Sequence, residues 1–269
     1  MSAPLPSDYR SLAAAAAQAA RVGGAVLLDQ ARGCRDLAVD EKARNDFVTA
    51  ADRASEEAIL AWLRGRFPGY GILAEESAAE HRFDGPVWIV DPLDGTTNFI
   101  HGFPMWCVSV ALAVDGVPVA GAVFDPVHDE MFSASRGDGA LLQGQPIRVA
   151  GRMGLGGCLL ATGFPFKIQE RLTEYLRSFE AFARATAGIR RAGSAAIDLC
   201  SVAAGRFDGF WEMSLAPWDV AAGGLIIQEA GGVVSDFSGR DTWLRTGHIV
   251  AGNPRVHAAM LEVLRRTLA

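Results

Sequence analysis

The residues best suited to chemistry lie in Asp91-Pro-Leu-Asp94-Gly-Thr-Thr-Asn-Phe99. The apolar stretch Val87 to Val90 reads as a strand that delivers Asp91 at its end. Pro92 has no amide proton, so a strand hydrogen bond is withheld and a turn is expected there. Asp94 follows three residues after Asp91. Gly95 permits an unusual backbone angle, and Thr96 and Thr97 can open a helix whose first amides suit a phosphate. A plain strand–turn–helix junction capped by Asp94 explains part of this pattern. It leaves Asp91 and the paired threonines unexplained. Other acids have local explanations of their own. Glu75 and Glu76 follow a short predicted strand, Gly71 to Ala74, and fit a solvated loop. Asp52 stands in Thr49-x-x-Asp52, a capping-box pattern. Asp219 lies just after Pro217, in the first turn of a predicted helix, where the helix dipole favours an acid.

A shared location would be harder to explain locally. Two carboxylates about 4 Å apart repel by roughly 1 kcal/mol in water and about 4 kcal/mol at an effective dielectric near 20. Were Glu75, Asp91, Asp94 and Asp219 to converge, several such pairs would offset much of a domain's stability, about 5–15 kcal/mol in all. The cluster would then take up protons or cations. An all-oxygen donor set without His or Cys favours Mg²⁺ or Mn²⁺ over zinc. Paired divalent ions suit phosphate-ester chemistry.

The elements that must position these acids are legible in outline. A first helix is expected from about Asp8 to Gln30 and a second from near Thr49, with Ala58, Ile59, Trp62, Leu63 and Phe67 on one face. Met105 to about Val149 reads as β, with a strand from Cys107 to Val114 buried on both faces and a hairpin at Asp115-Gly116. Beyond Gly157, helices and strands alternate. Strands are expected at Cys158 to Thr162, Phe207 to Met213, Val233 and Ile249, and helices near Glu170 to Ala187, Ser194 to Ala204, Pro217 to Ala230 and from Pro254. That order implies mixed sheets covered by helices. Neither a GxGxxG fingerprint nor a P-loop is present.

The 269 residues are 50% hydrophobic, enough for a sizeable core. Thirty-one acids against 25 bases give a net charge of −6, which disfavours nucleic-acid binding by bulk charge. Cys34, Cys107, Cys158 and Cys200 are widely spaced and read as free thiols. Gln18, Arg21, Gly23 and Gly24 interrupt the Ala-rich N-terminal run, so a soluble helix is expected over a membrane span or signal peptide, and the protein is expected to be cytoplasmic. The five histidines show no ligand spacing. Arg190, Arg191, Arg265 and Arg266 read as solvated surface.

At these motifs the chain resembles the inositol monophosphatase family. Asp91 to Phe99 matches the family's first signature, and Trp218-Asp219-Val-Ala-Ala-Gly with Glu229-Ala-Gly-Gly matches its second. Phe47-Val-Thr-Ala-Ala-Asp52, Ala74-Glu-Glu-Ser77, Gly193-Ser-Ala-Ala196 and Glu212 match further blocks, all in the family's order over about residues 8–265. The resemblance implies an α+β fold, a layered α-β-α-β-α sandwich of the inositol monophosphatase and fructose-1,6-bisphosphatase type. It implies a single domain over residues 1–269, with halves of about 1–150 and about 151–269. Two or three Mg²⁺ ions, with Mn²⁺ as a substitute, would be held by Glu75, Asp91, the Leu93 carbonyl, Asp94 and Asp219. Asp52, Glu75 and Thr96 would serve catalysis. Asp94, Gly95, Thr96, Gly193, Ser194, Ala195, Glu212 and Asp219 would bind the substrate, a small phosphorylated alcohol. By the same resemblance Lys42 takes the place of the family's lysine before the Asp52 block. Lithium sensitivity and a homodimer are implied by the same analogy. Ala74 and Leu93 stand where the family commonly has Gly and Ile, and neither change removes a ligand. The Asp-x-x-Asp spacing argues against a dehalogenase-type phosphatase, which uses Asp-x-Asp and a covalent aspartyl phosphate. A scaffold or regulator built on an old active site is the non-enzymatic alternative.

Overall fold

The computed structural model describes residues 8–33, 39–43, 46–77, 84–165 and 169–268, with the side chains of residues 32–48 and 169 outside the description. Cys34 and the side chain of Lys42 therefore lie outside it. In chain order the elements are α1 (Tyr9–Gly33), β1 (Val39–Ala43), β2 (Asp46–Thr49), α2 (Ala50–Arg66), β3 (Gly71–Ala74), β4 (Pro86–Asp94), α3 (Thr96–Ile100), β5 (Cys107–Val114), β6 (Val117–Asp125), β7 (Glu130–Ser135), β8 (Gly139–Leu142) and β9 (Gln145–Pro146). The second half holds β10 (Leu159–Thr162), a 3₁₀ turn (Gln169–Arg171), α4 (Leu172–Ala185), β11 (Gly188–Arg190), α5 (Ala195–Ala203), β12 (Gly209–Glu212), α6 (Pro217–Glu229), β13 (Val233–Ser235), α7 (Trp243–Thr246), β14 (Ile249–Gly252) and α8 (Pro254–Thr267).

Five layers result. The larger sheet has seven strands in the order β3-β4-β5-β6-β7-β8-β9, and the smaller has five in the order β11-β10-β12-β14-β13. Helices α1 and α2 cover the outer face of the larger sheet, α5 and α6 fill the space between the sheets, and α4 and α8 cover the far face of the smaller one. This is the expected α-β-α-β-α order. Strand alternation accounts for it: on β4, Trp88 and Val90 pack toward α1 and α2, whereas Val87 and Ile89 pack toward α5 and α6. Helix α6 is buried almost all round because it touches both sheets.

By length and composition α1 could cross a membrane, yet half of it is buried in the fold. Its Leu12, Ala16, Ala20 and Leu27 join the core beneath α2 and the sheet. Two glycines bring it close: a Cβ on Gly24 would lie 2.6 Å from the Phe124 ring. Gly to Ala inside a helix normally stabilises by about 1 kcal/mol. Here the sign reverses, because Phe124 is buried and has no room to retreat. Gly24→Ala is expected to lower stability by about 1–3 kcal/mol in urea unfolding, as overpacked core positions do. A variant as stable as wild type would show that α1 rides loosely on the sheet.

Two local expectations are corrected. Pro92 does not end the strand: β4 runs on to Asp94. Asp91 pairs with Ser109 and Asp94 with Cys107, three steps against two, so the proline sits in a β-bulge where the ladder needs no donor. Asp94 does not cap α3, whose N-cap is Gly95 at φ 97° without a side-chain cap. The hairpin at Asp115-Gly116 has both residues left-handed, at φ 50° and 79°, as a two-residue turn requires. Strands β1, β2 and β11 and helix α7 carry too few patterned residues to have been read in advance.

Candidate active site and metal centre

The bulge in β4 turns two acids toward the inner helices. Asp91 continues the inward row of Val87 and Ile89, and the extra residue re-aims Asp94 to the same side. Asp219 arrives from the opposite direction, in the first turn of α6, where its Oδ2 accepts from the Ala216 amide at 2.6 Å. One carboxylate oxygen from each of Asp91, Asp94 and Asp219 lies within 4.8 Å of the others. Glu75 follows β3, its amide donating to the Val90 carbonyl at 3.1 Å. Its charge acts on Asp91. The Asp91 carboxyl is pushed well above the usual range by burial first, then by Glu75, Asp94 and Asp219.

Asp94 has a second occupation. Its Oδ2 accepts from Ser194 Oγ at 2.6 Å and from the Ala196 amide at 2.7 Å, at the start of α5. Burial raises its pKa, and these donors partly oppose the rise. Asp94 thus ties β4 to α5 as well as belonging to the acidic cluster. Gly95 must be glycine: besides its left-handed backbone, a Cβ would meet the Met105 carbonyl at 2.8 Å. Asn98 of the same motif clamps the junction, its Nδ2 donating to the Met105 and Ala192 carbonyls at 2.7 and 2.9 Å.

Beside the cluster stands a hydroxyl–carboxylate pair. Thr96 Oγ1 lies 3.1 Å from Asp52 Oδ1 and 3.1 Å from the Leu93 carbonyl. The capping box at Thr49 and Asp52 is also present, with Asp52 Oδ2 accepting from the Thr49 amide and hydroxyl at 2.8 and 2.6 Å. One carboxylate serves both purposes through different oxygens. Burial raises the Asp52 pKa, with Thr49 and Thr96 pulling the other way.

Four further expected site residues lie at the start of α5 and the end of β12. Gly193, at φ 94°, precedes Ser194 and Ala195 at the α5 N-terminus. Glu212 ends β12 against Gly163, where a Cβ would overlap its carboxylate. Burial, Asp198 and Asp219 push the Glu212 pKa well up. Three neighbours were not singled out from sequence as site residues. Asp198 is buried with its Oδ1 lacking a hydrogen-bond partner. Cys107, at the start of the strand expected to be buried on both faces, is buried with its Sγ 3.5 Å from Ser194 Oγ. Arg191, read as surface, is exposed, yet its charge reaches Asp94, Asp198 and Glu212. Only its place before Gly193 could have marked it.

The donor set fits a hard divalent cation: three carboxylates, two of them on one bulged strand, with further acids close by. Buried like charges at this spacing are tolerable only with protons or cations among them.

Sequence and fold likeness to known proteins point to one family. The model of the inositol monophosphatase family matches residues 8–268. A relative from Pseudomonas aeruginosa, Nus factor SuhB, is 48% identical over 255 residues, covering 93% of this chain and 94% of that protein. The crystal structure of extragenic suppressor protein SuhB from Bartonella henselae superposes with a TM-score of 0.90 at 40% identity, over 95% of this chain and 99% of that one. Inositol monophosphatase from Anabaena (Nostoc) sp. PCC 7120 does so with a TM-score of 0.84 at 38% identity, over 96% of each chain. With the family's model matched over residues 8–268 and its layered fold in place, this chain belongs to the inositol monophosphatase family.

Proposed function

We propose that the protein is a Mg²⁺-dependent phosphomonoesterase that hydrolyses a small phosphorylated alcohol, inositol monophosphate above others, by direct attack of water. The observation that supports this most is the meeting of Asp91, Asp94 and Asp219 within 4.8 Å beside the Thr96–Asp52 pair. In this reading Glu75, Asp91, the Leu93 carbonyl, Asp94 and Asp219 hold two or three ions, with Mn²⁺ a substitute. Bound there, the ions would neutralise the phosphate and make water more acidic. Thr96 donates its hydroxyl proton toward Asp52 or the Leu93 carbonyl, which leaves its oxygen free to accept from the attacking water. Asp52, with its raised pKa, is suited to take the proton that the water loses. Glu75 supports the same step. The Gly95 and Thr96 amides seat the phosphate, and Gly193, Ser194, Ala195 and Glu212 face the alcohol. The family resemblance carries with it a cytoplasmic homodimer and inhibition by lithium.

Phosphate release from inositol monophosphate, histidinol phosphate, fructose 1,6-bisphosphate and a nucleotide 3′-phosphate tests this directly. Inositol monophosphate should be turned over fastest, only with Mg²⁺ or Mn²⁺ present, and without a trapped phosphoryl-Asp91. Hydrolysis in excess chelator, or such an adduct on rapid quenching, would refute the mechanism. A faster second substrate would keep the chemistry and reassign the alcohol.

The name Nus factor carried by the Pseudomonas relative supports a second reading, a regulatory role through RNA or protein contact. A soluble Asp91→Asn variant that lacks hydrolysis yet sustains cell function would favour it.

A further inference from the structure

Glu212 and Asp219 are separated by a short loop with one strained residue. Ser214 has φ 62° although it carries a Cβ, a left-handed backbone that costs about 1–2 kcal/mol for such residues. Something must hold it there. The segment Gly247-His248 does so twice. The Leu215 amide donates to the Gly247 carbonyl at 2.9 Å. The Ser214 amide donates to His248 Nδ1 at 3.1 Å. The His248 ring is itself stacked on Phe237, centroids 5.5 Å apart and planes 18° from parallel. Its Nε2 lies 2.8 Å from Arg171 Nη1, and Arg171 is forked onto Glu174 at 2.9 Å on both arms.

We propose that His248 is a positioning residue for the substrate side of the site, its Nδ1 holding the left-handed Ser214 peptide and thereby placing Glu212. Asp219 is less dependent on this hold, because its own bond to the Ala216 amide fixes it. The choice of assay rests on the phosphatase reading; the hydrogen bond does not.

The chemistry of the ring makes the proposal specific. A backbone amide only donates, so the bond to Ser214 requires a bare Nδ1 and a ring proton on Nε2. Arg171 Nη1 donates as well and lies 2.8 Å from Nε2, so the two donors compete for the one lone pair of the neutral ring. An imidazolium would present N–H groups to donors on both sides. The charged groups that act on the ring are Arg171 on the 3₁₀ turn, Glu174 on α4 and Asp236 after β13. Burial and Arg171 hold the ring below the ordinary histidine pKa, against the pull of Glu174 and Asp236. The hold on Ser214 therefore needs the neutral ring and is lost as the ring protonates, below the ordinary histidine range.

Two variants of the full-length protein separate this from a packing role. His248→Asn offers an amide oxygen near the place of Nδ1 and does not titrate; His248→Leu fills space without an acceptor. Steady-state phosphate release from inositol monophosphate at saturating Mg²⁺, between about pH 5 and 8, should show KM raised about tenfold in His248→Leu with kcat changed less. His248→Asn should stay within about twofold of wild-type KM and lose the part of the wild-type acid rise in KM that His248 contributes. Ring ¹⁵N spectra of the wild type should show Nδ1 unprotonated at neutral pH. Equal impairment of both variants, no effect in either, or a protonated Nδ1 would overturn the assignment. A wild type without turnover would count against the phosphatase reading, and the ring spectra and the Ser214 amide shift in His248→Asn would still decide the role of His248.

Discussion

Asp94→Asn should lose about 10³-fold or more in kcat/KM, the scale on which a group that stabilises transition-state charge is felt, while the protein stays folded. The Asp94 carboxylate has two tasks. Oδ2 takes the Ser194 hydroxyl and the Ala196 amide, so it fastens α5 to the bulge of β4. One Asp94 oxygen also lies within 4.8 Å of a carboxylate oxygen from each of Asp91 and Asp219. An asparagine can keep its carbonyl oxygen on the α5 donors and turn its NH₂ toward the cluster. The tether survives, and a cation acceptor becomes a donor. Stability in urea should change by less than about 1 kcal/mol, since one buried like charge is also removed. Asp94→Ala gives the contrast. It strands the Ser194 and Ala196 donors and should cost about 1–3 kcal/mol for each one left unsatisfied. Enzyme assays paired with urea midpoints separate the two roles. An Asp94→Asn variant with more than a tenth of wild-type turnover would remove Asp94 from the reaction, and with it the metal site drawn here.

That double duty marks the boundary of what could be read from the chain alone. The acids of the cluster were legible because each stands at the end of an apolar run or in the first turn of a helix. Such places are set by local patterns of two and 3.6 residues. The helix that receives Asp94 begins 100 residues later at Ser194, and no local pattern reports a contact of that span. The same holds for Pro92. A missing amide proton predicts a break in the ladder, yet whether the break becomes a turn or a bulge depends on the partner strand, where Ser109 and Cys107 accept the extra residue. Asp52 is the opposite case. A sufficient local explanation, the capping box, was no argument against a second use, because a carboxylate has two oxygens and Thr96 reaches the other. The left-handed Ser214 was invisible for a plainer reason. Positive φ is signalled by glycine, and here a serine takes it under tertiary constraint.

Asp91→Asn should make the metal-free protein more stable at neutral pH and remove most of its response to Mg²⁺. Asp91 is 1% exposed, and Glu75, Asp94 and Asp219 all act to disfavour its charge. Asparagine keeps the short-range bond, since an amide oxygen can accept from the Leu93 amide as Asp91 Oδ1 does at 3.0 Å. What it deletes is one buried charge among like charges. The gain should be about 1–2 kcal/mol, the lower range for replacing unfavourable buried charge, or a melting temperature higher by about 2–8 °C for a chain of this size. The pH dependence follows from the raised pKa. The folded state holds the Asp91 proton more tightly than the unfolded chain does, so this group's stabilising contribution is present below the ordinary carboxylate range and is lost as pH rises through the folded value. Wild type and variant should therefore converge in mild acid and separate toward neutrality when no metal is present. Mg²⁺ should reverse the ranking, because an ion at 100 times its dissociation constant adds about 2.7 kcal/mol to the wild-type fold and finds one fewer anionic ligand in the variant. Thermal melts with chelator and with Mg²⁺, from acid to neutral pH, read all of this from one pair of proteins. A variant that melts below wild type in chelator, or gains as much from Mg²⁺, would mean that Asp91 is held by its surroundings as an ordinary buried acid and not as part of a cation site.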